Sequence, residues 1–172
     1  NGTGMFGHGL AMADFDGDGL DDLLVGAPNE DMDNGTVSAW FSSVGVVDER
    51  PADWVMNGSE NEGLGHTLTV ISDLDGDGDH ELAVSSLTPS TTGKVHVLFG
   101  NGTTPDLARS ILPTTTGPGF GQAMASGDLN CDGHGDLVVS NTGTLDSPVG
   151  YSAIEVFHGS AVGYNGTPDR TF

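Results

Sequence analysis

The chain has 172 residues, with 25 acidic side chains against four basic ones and a formal net charge of −21. That balance rules out nucleic-acid binding, which needs a basic surface to displace counterions from phosphates, and an anionic membrane face would repel it. No apolar run approaches the ~20 residues of a membrane-spanning helix.

Cys131 is the only cysteine, so no internal disulfide forms. The chain opens at Asn1 with no initiator Met and no signal-peptide pattern, which fits a processed or excised segment. Twenty-eight glycines, with many Ser, Thr, Asn and Asp, predict short strands joined by tight turns.

In chain order, Phe6-Gly7-His8 leads into a first strand, an acidic loop runs from Asp14 to Asp22, and Leu23-Leu24-Val25 forms a second strand. From Gly35 to Phe41 polar and apolar residues alternate, predicting a third strand, and a fourth begins near Pro51 to Trp54. The series then returns with Leu64-Gly65-His66, a loop from Asp73 to Glu81, Leu82-Ala83-Val84, Gly93 to Phe99, and a fourth segment near Pro105. It returns once more with Phe120-Gly121-Gln122, a loop from Asp128 to Asp136, Leu137-Val138-Val139, Ser152 to Phe157, and a fourth segment near Pro168.

Three units are expected, at 1–58, 59–113 and 114–172, each of four antiparallel strands. No stretch shows a helical apolar period. The expectation is an all-β fold of three β-propeller blades, because a lone blade cannot bury both faces and must stack on neighbours. Three blades are fewer than the roughly four to eight that close a ring, so a longer protein or an assembly of copies is expected to complete it.

The loops carry the chemistry. Positions 1, 3 and 5 hold Asp14, Asp16 and Asp18, then Asp73, Asp75 and Asp77, then Asp128, Asn130 and Asp132. Position 6 is Gly19, Gly78 or Gly133, and position 9 is Asp22, Glu81 or Asp136. Carboxylates this close repel one another unless a cation sits among them. Alternate oxygens on a tight turn converge on one point, and the position-7 carbonyls of Leu20, Asp79 and His134 can add to them. An oxygen-only, flexible donor set suits Ca2+ at three sites, whereas magnesium prefers a tighter octahedron and zinc wants Cys or His. An EF-hand needs an acidic ligand at position 12, but Val25, Val84 and Val139 stand there within strand-like runs.

Other residues have plainer expectations. His8 and His66 are expected to hydrogen-bond within their own blades, and His80, His96, His134 and His158 lack zinc spacing. Cys131, at loop position 4, is expected to point outward. Trp40, Trp54, Tyr151 and Tyr164 are expected to pack between blades. Five N-x-Ser/Thr sequons, at Asn1, Asn34, Asn57, Asn101 and Asn165, are all Asn-Gly, which reads first as hairpin-turn chemistry and also as glycan acceptors in a secreted glycoprotein. No nucleophile elbow is present, and the clustered carboxylates are accounted for as calcium ligands, so no enzyme is expected.

With these motifs in view, the chain resembles the FG-GAP repeats of integrin α-subunit propellers and of many secreted bacterial and fungal proteins. Phe6-Gly7 matches the FG element and Gly26-Ala27-Pro28 the GAP element. The second unit departs with Leu64-Gly65 and Ser85-Ser86-Leu87, and the third with Ser140-Asn141-Thr142. The resemblance implies a structural calcium in the hairpin between strands A and B of each blade, on one rim. It implies an extracellular or cell-surface module for adhesion, with a protein or glycan as partner. Alternatives are a self-assembling ring or filament of open blades, a lectin-like module, and a propeller attached to an enzyme.

Overall fold

The computed structural model describes residues 4–43, 51–88, 92–100, 119–142, 152–164 and 166–172, and the backbone of 106–111. Tyr151 and the sequon residues Asn1, Asn101 and Asn165 lie outside the described residues.

The fold is all-β, with three four-stranded antiparallel sheets. The first comprises β1 (Gly9–Ala13), β2 (Asp22–Ala27), β3 (Thr36–Trp40) and β4 (Trp54–Asn57) in chain order. The second comprises β5 (Leu64–Ser72), β6 (His80–Ser86), β7 (Lys94–Phe99) and β8 (Asp106–Ile111). The third comprises β9 (Phe120–Gly127), β10 (Asp136–Asn141), β11 (Ala153–Phe157) and β12 (Arg170–Thr171). A four-residue helical turn, Glu30–Asp33, interrupts the β2–β3 connection, with Asp31 and Met32 in the left-handed region at φ 50° and 57°.

Alternation along the second strand of each blade builds the core. Successive side chains point to opposite faces, so three apolar residues in a row serve two neighbours. Leu24 faces the second blade and joins Ala13, Phe15, Val37 and Ala39 against Leu68, Leu82, Val84 and Leu98. Ala83 faces the other way and joins Ile71, Val95 and Val97 against Phe120, Leu137, Val139 and Phe157. Both seams are apolar, and each fully buried Leu or Phe there contributes about 1.5–3 kcal/mol. Trp54 packs on the first seam and Tyr164 on the second, whereas Trp40 stacks edge-on against Phe6 in its own blade, with ring centroids 5.9 Å apart.

The FG glycines set how closely blades approach. Gly65 has φ 94°, which a side chain tolerates poorly. A Cβ on Gly26, in the preceding blade, would lie 2.1 Å from the Gly65 carbonyl oxygen.

Polar groups stitch the same seams. His8 Nδ1 donates to the His66 carbonyl (2.9 Å), and Thr67 Oγ1 donates to the Gln122 carbonyl (3.2 Å). His8 is thus bonded across blades rather than within its own, because the preceding FG turn aims it at its neighbour. Burial, followed by the neighbouring His8 ring 4.4 Å away, holds the His66 pKa below its usual value. A lowered histidine pKa means that the unfolded chain takes up the proton first. His66 therefore supports the fold above about pH 6.5, and that support fades as pH falls through its folded pKa. The melting temperature of His66→Gln should accordingly fall less than that of the parent chain between about pH 7.5 and pH 5; equal losses would contradict this.

The segment between the first two blades is tied down by Glu62. Its carboxylate accepts from Ser59 N–H (2.6 Å) and His96 Nε2 (2.7 Å), with Lys94 Nζ at 3.5 Å. Burial pulls the Glu62 pKa up, but these three partners outweigh it and leave the pKa lowered.

Candidate metal centre

Each acidic loop is the hairpin between the first two strands of its blade, and its own backbone orders the carboxylates. The position-1 side chain accepts the N–H of the position-6 glycine: Gly19 to Asp14 at 2.9 Å, Gly78 to Asp73 at 3.1 Å, Gly133 to Asp128 at 3.0 Å. Position 3 accepts from the position-5 N–H, at 3.2 Å for Asp16, 3.3 Å for Asp75 and 3.0 Å for Asn130. Position 5 accepts from position 7: Leu20 N–H to Asp18 at 2.8 Å, Asp79 to Asp77 at 2.9 Å, His134 to Asp132 at 2.9 Å. At least one oxygen of each of these side chains is thereby pinned, and both oxygens of Asp14 and Asp128 are, since Gly17 N–H and Asp132 N–H also donate to them; remaining lone pairs are left for another partner.

The result is two acidic triads. Asp14, Asp16 and Asp18 bring carboxylate oxygens within 4.8 Å of one another, as do Asp73, Asp75 and Asp77. In the third loop Asn130 stands at position 3 and its Nδ2 donates to Asp132 Oδ2 (2.8 Å), which relieves charge internally.

The position-9 acids sit apart from the triads, at the base of the hairpin, fully buried. Asp22 accepts the Phe15 N–H (2.9 Å) and the Ser42 N–H (2.8 Å), tying its loop to the chain beyond β3. Asp136 repeats this with Leu129 (2.8 Å) and Gly159 (2.9 Å), and His158 Nδ1 lies 3.1 Å away. Glu81 accepts only the Leu74 N–H (2.5 Å), and its Oε1 is buried without a hydrogen-bond partner. Burial, then repulsion from Asp75, Asp77 and Asp73, pushes Glu81 up to about 7. Burial with Asp77 and Asp73 likewise raises Asp75, and burial raises Asp22. A converging triad of carboxylates, with a buried and unpartnered carboxylate oxygen at the base of the same hairpin, is a donor set that fits a hard divalent cation.

Comparison with known proteins gives the family of the chain. Residues 6–40 match the FG-GAP repeat, and residues 73–139 match the FG-GAP-like repeat. Integrin alpha-IIb of Mus musculus is 30% identical over 153 residues, which is 80% of this chain and 15% of that protein. Integrin alpha-PS2 of Drosophila melanogaster is 28% identical over 99% of this chain and 13% of that protein. The chain belongs to the FG-GAP repeat family. A shorter match, 39% identical over 49% of this chain and 10% of that protein, is to phosphatidylinositol-glycan-specific phospholipase D of Mus musculus. The chain thus spans only 10–15% of the length of these relatives.

The departures from the FG-GAP pattern have physical compensations. Ser85 and Ser140 occupy the place of Gly26, and their hydroxyls accept the Thr67 N–H (3.0 Å) and the Ala123 N–H (2.9 Å). Position 4 of the FG-GAP loop is also left-handed, with φ 77° at Gly17, 83° at Gly76 and 60° at Cys131. Cys131 is exposed there. A β-carbon in that region costs about 1–2 kcal/mol, against about 0.5–1 kcal/mol for glycine's extra freedom when unfolded. Cys131→Gly should therefore stabilise the chain by about 0.5–1 kcal/mol in denaturant unfolding; a loss would contradict the strain argument.

Proposed function

We propose that this FG-GAP chain is a calcium-stiffened β-propeller module that acts outside the cell as an adhesion or interaction scaffold, without catalytic activity of its own. The observation that carries the calcium part is the convergence of the Asp73, Asp75 and Asp77 carboxylates within 4.8 Å, with Glu81 Oε1 buried and unpartnered at the base of the same hairpin. The ligands would be the side chains at positions 1, 3, 5 and 9 and the carbonyls of Leu20, Asp79 and His134. When bound, the ion supplies fixed positive charge that cancels the mutual repulsion of the acids. The chain's own residues do the rest: backbone N–H groups fix each carboxylate, and Asp22 and Asp136 anchor the loop base to the next connection.

The adhesion part rests on likeness to integrin alpha chains over most of this sequence. The phospholipase match covers half of the chain and supports a shared repeat rather than shared chemistry. No helix among the described residues is long and apolar enough to cross a membrane.

Titration calorimetry tests the calcium assignment. Calcium should bind with dissociation constants on the order of 0.1–1 mM. Asp16→Ala and Asp75→Ala should each remove one site and leave the others intact. The third loop, with Asn130 in place of an acid, should be the weakest of the three. Flat heats with calcium would reject the proposal.

A further inference from the structure

The second and third acidic hairpins touch, and the contact runs beside their proposed ligands. The Gly135 N–H, at position 8 of the third loop, donates to the carbonyl of Asp73, position 1 of the second (3.2 Å). Position 8 is Asp21 or His80 in the other loops, and a glycine is what allows this approach. A Cβ on Gly135 would lie 2.3 Å from the Ser72 carbonyl oxygen. His134, at position 7, lays its ring against Gly76 of the second loop, where a Cβ would lie 2.8 Å from His134 Cε1.

A short strap beyond β11 spans both loops. The Gly159 N–H donates to Asp136, position 9 of the third loop (2.9 Å). The next N–H, of Ser160, donates to the carbonyl of Leu74, position 2 of the second (3.0 Å). Among the described residues no backbone hydrogen bond joins the first loop, 14–22, to the second, 73–81.

We infer that the second and third loops take up calcium cooperatively, an ion in either favouring an ion in the other, while the first loop binds independently of both. This rests on the premise, proposed above, that these loops hold calcium. An ion held by Asp73 fixes the backbone to which Gly135 and Ser160 are bonded. Those bonds in turn hold the His134 carbonyl and the Asp136 carboxylate in place for a third-loop ion. The converse also holds, because coupling between two sites is reciprocal. Charge acts in the opposite direction, since an ion in one loop weakens the attraction felt at the other. A Debye length of about 8 Å at physiological ionic strength limits that opposition.

Amide NMR during a calcium titration at that ionic strength tests this. The N–H groups of Gly19, Gly78 and Gly133 each donate to the position-1 carboxylate of their own loop, so their peaks follow the three sites separately. Asp75→Ala removes a ligand of the second loop but not the bonds to the third, since Asp75 accepts from the Asp77 N–H of its own loop. The Gly133 midpoint should then rise at least about fivefold, with the third site still present and the Gly19 midpoint unchanged. A second loop that cannot fill stays more negative, so charge alone would lower that midpoint rather than raise it. Asn130→Ala should raise the Gly78 midpoint in the same way, and Asp16→Ala should move neither. A Gly133 midpoint that stays or falls in Asp75→Ala overturns the coupling, as does an equal rise in Asp16→Ala, and both results leave calcium binding standing. Peaks that ignore calcium in all three loops reject calcium binding and the coupling together.

Discussion

Replacing about 10 mM calcium with a chelator is expected to lower the melting temperature by roughly 10–30 °C. At dissociation constants on the order of 0.1–1 mM, mass action gives about 1.4–2.7 kcal/mol per site. Three sites give about 4–8 kcal/mol, and a chain of this size shifts by about 2–4 °C per kcal/mol. Asp16→Ala should remove about one third of the calcium increment while leaving the chelator curve nearly unchanged, because among the described residues the half-buried Asp16 carboxylate accepts a single hydrogen bond, from the Asp18 N–H of its own loop. Superimposable curves in calcium and chelator, recorded by differential scanning calorimetry, would remove the basis for a structural ion.

Asp22→Ala is expected to behave differently, losing about 2–5 kcal/mol even in chelator. Its two oxygens satisfy the Phe15 and Ser42 N–H groups at a fully buried position, and each orphaned donor costs about 1–3 kcal/mol. Asp22→Asn keeps one acceptor oxygen and should lose about half as much. Glu81→Gln should change sign with the ion. In chelator it removes a charge that burial and three aspartates oppose, giving a gain on the order of 1 kcal/mol. In calcium it should lose stability instead. Urea unfolding of the three variants in both buffers distinguishes these outcomes, and an Asp22→Ala loss confined to calcium would mean that the carboxylate acts only as a ligand.

Much of this was legible in the residues. The strand count followed from the return of Asp14, Asp73 and Asp128 with matching flanks, because a period of that length with apolar triplets fits little else. The triads at positions 1, 3 and 5 followed from alternation on a turn. The burial of position 9 was not legible, since an acid that accepts two backbone N–H groups is spelled the same as one that faces an ion. Glu81 offered one signal: its longer side chain leaves an oxygen without the partner that Asp22 finds in Ser42 and Asp136 in Gly159. The direction of His8 was also hidden. Its partner is a carbonyl in another blade, and a backbone acceptor leaves no trace in side-chain identity. Ser85 and Ser140 read as lapses from GAP until their hydroxyls are seen capping strand amides.

The Gly26–Gly65 contact has a consequence for how such chains change over generations. Each partner lies in a different repeat, and neither position has room for another atom. At the second seam Ser85 stands in the place of Gly26 and its side chain lies against Gly121, so the FG glycine is the partner that both seams keep bare. A side chain gained at Gly65 would therefore have to be accommodated by the blade before it, where the Thr36 carbonyl and the Gly26 backbone already fill the space.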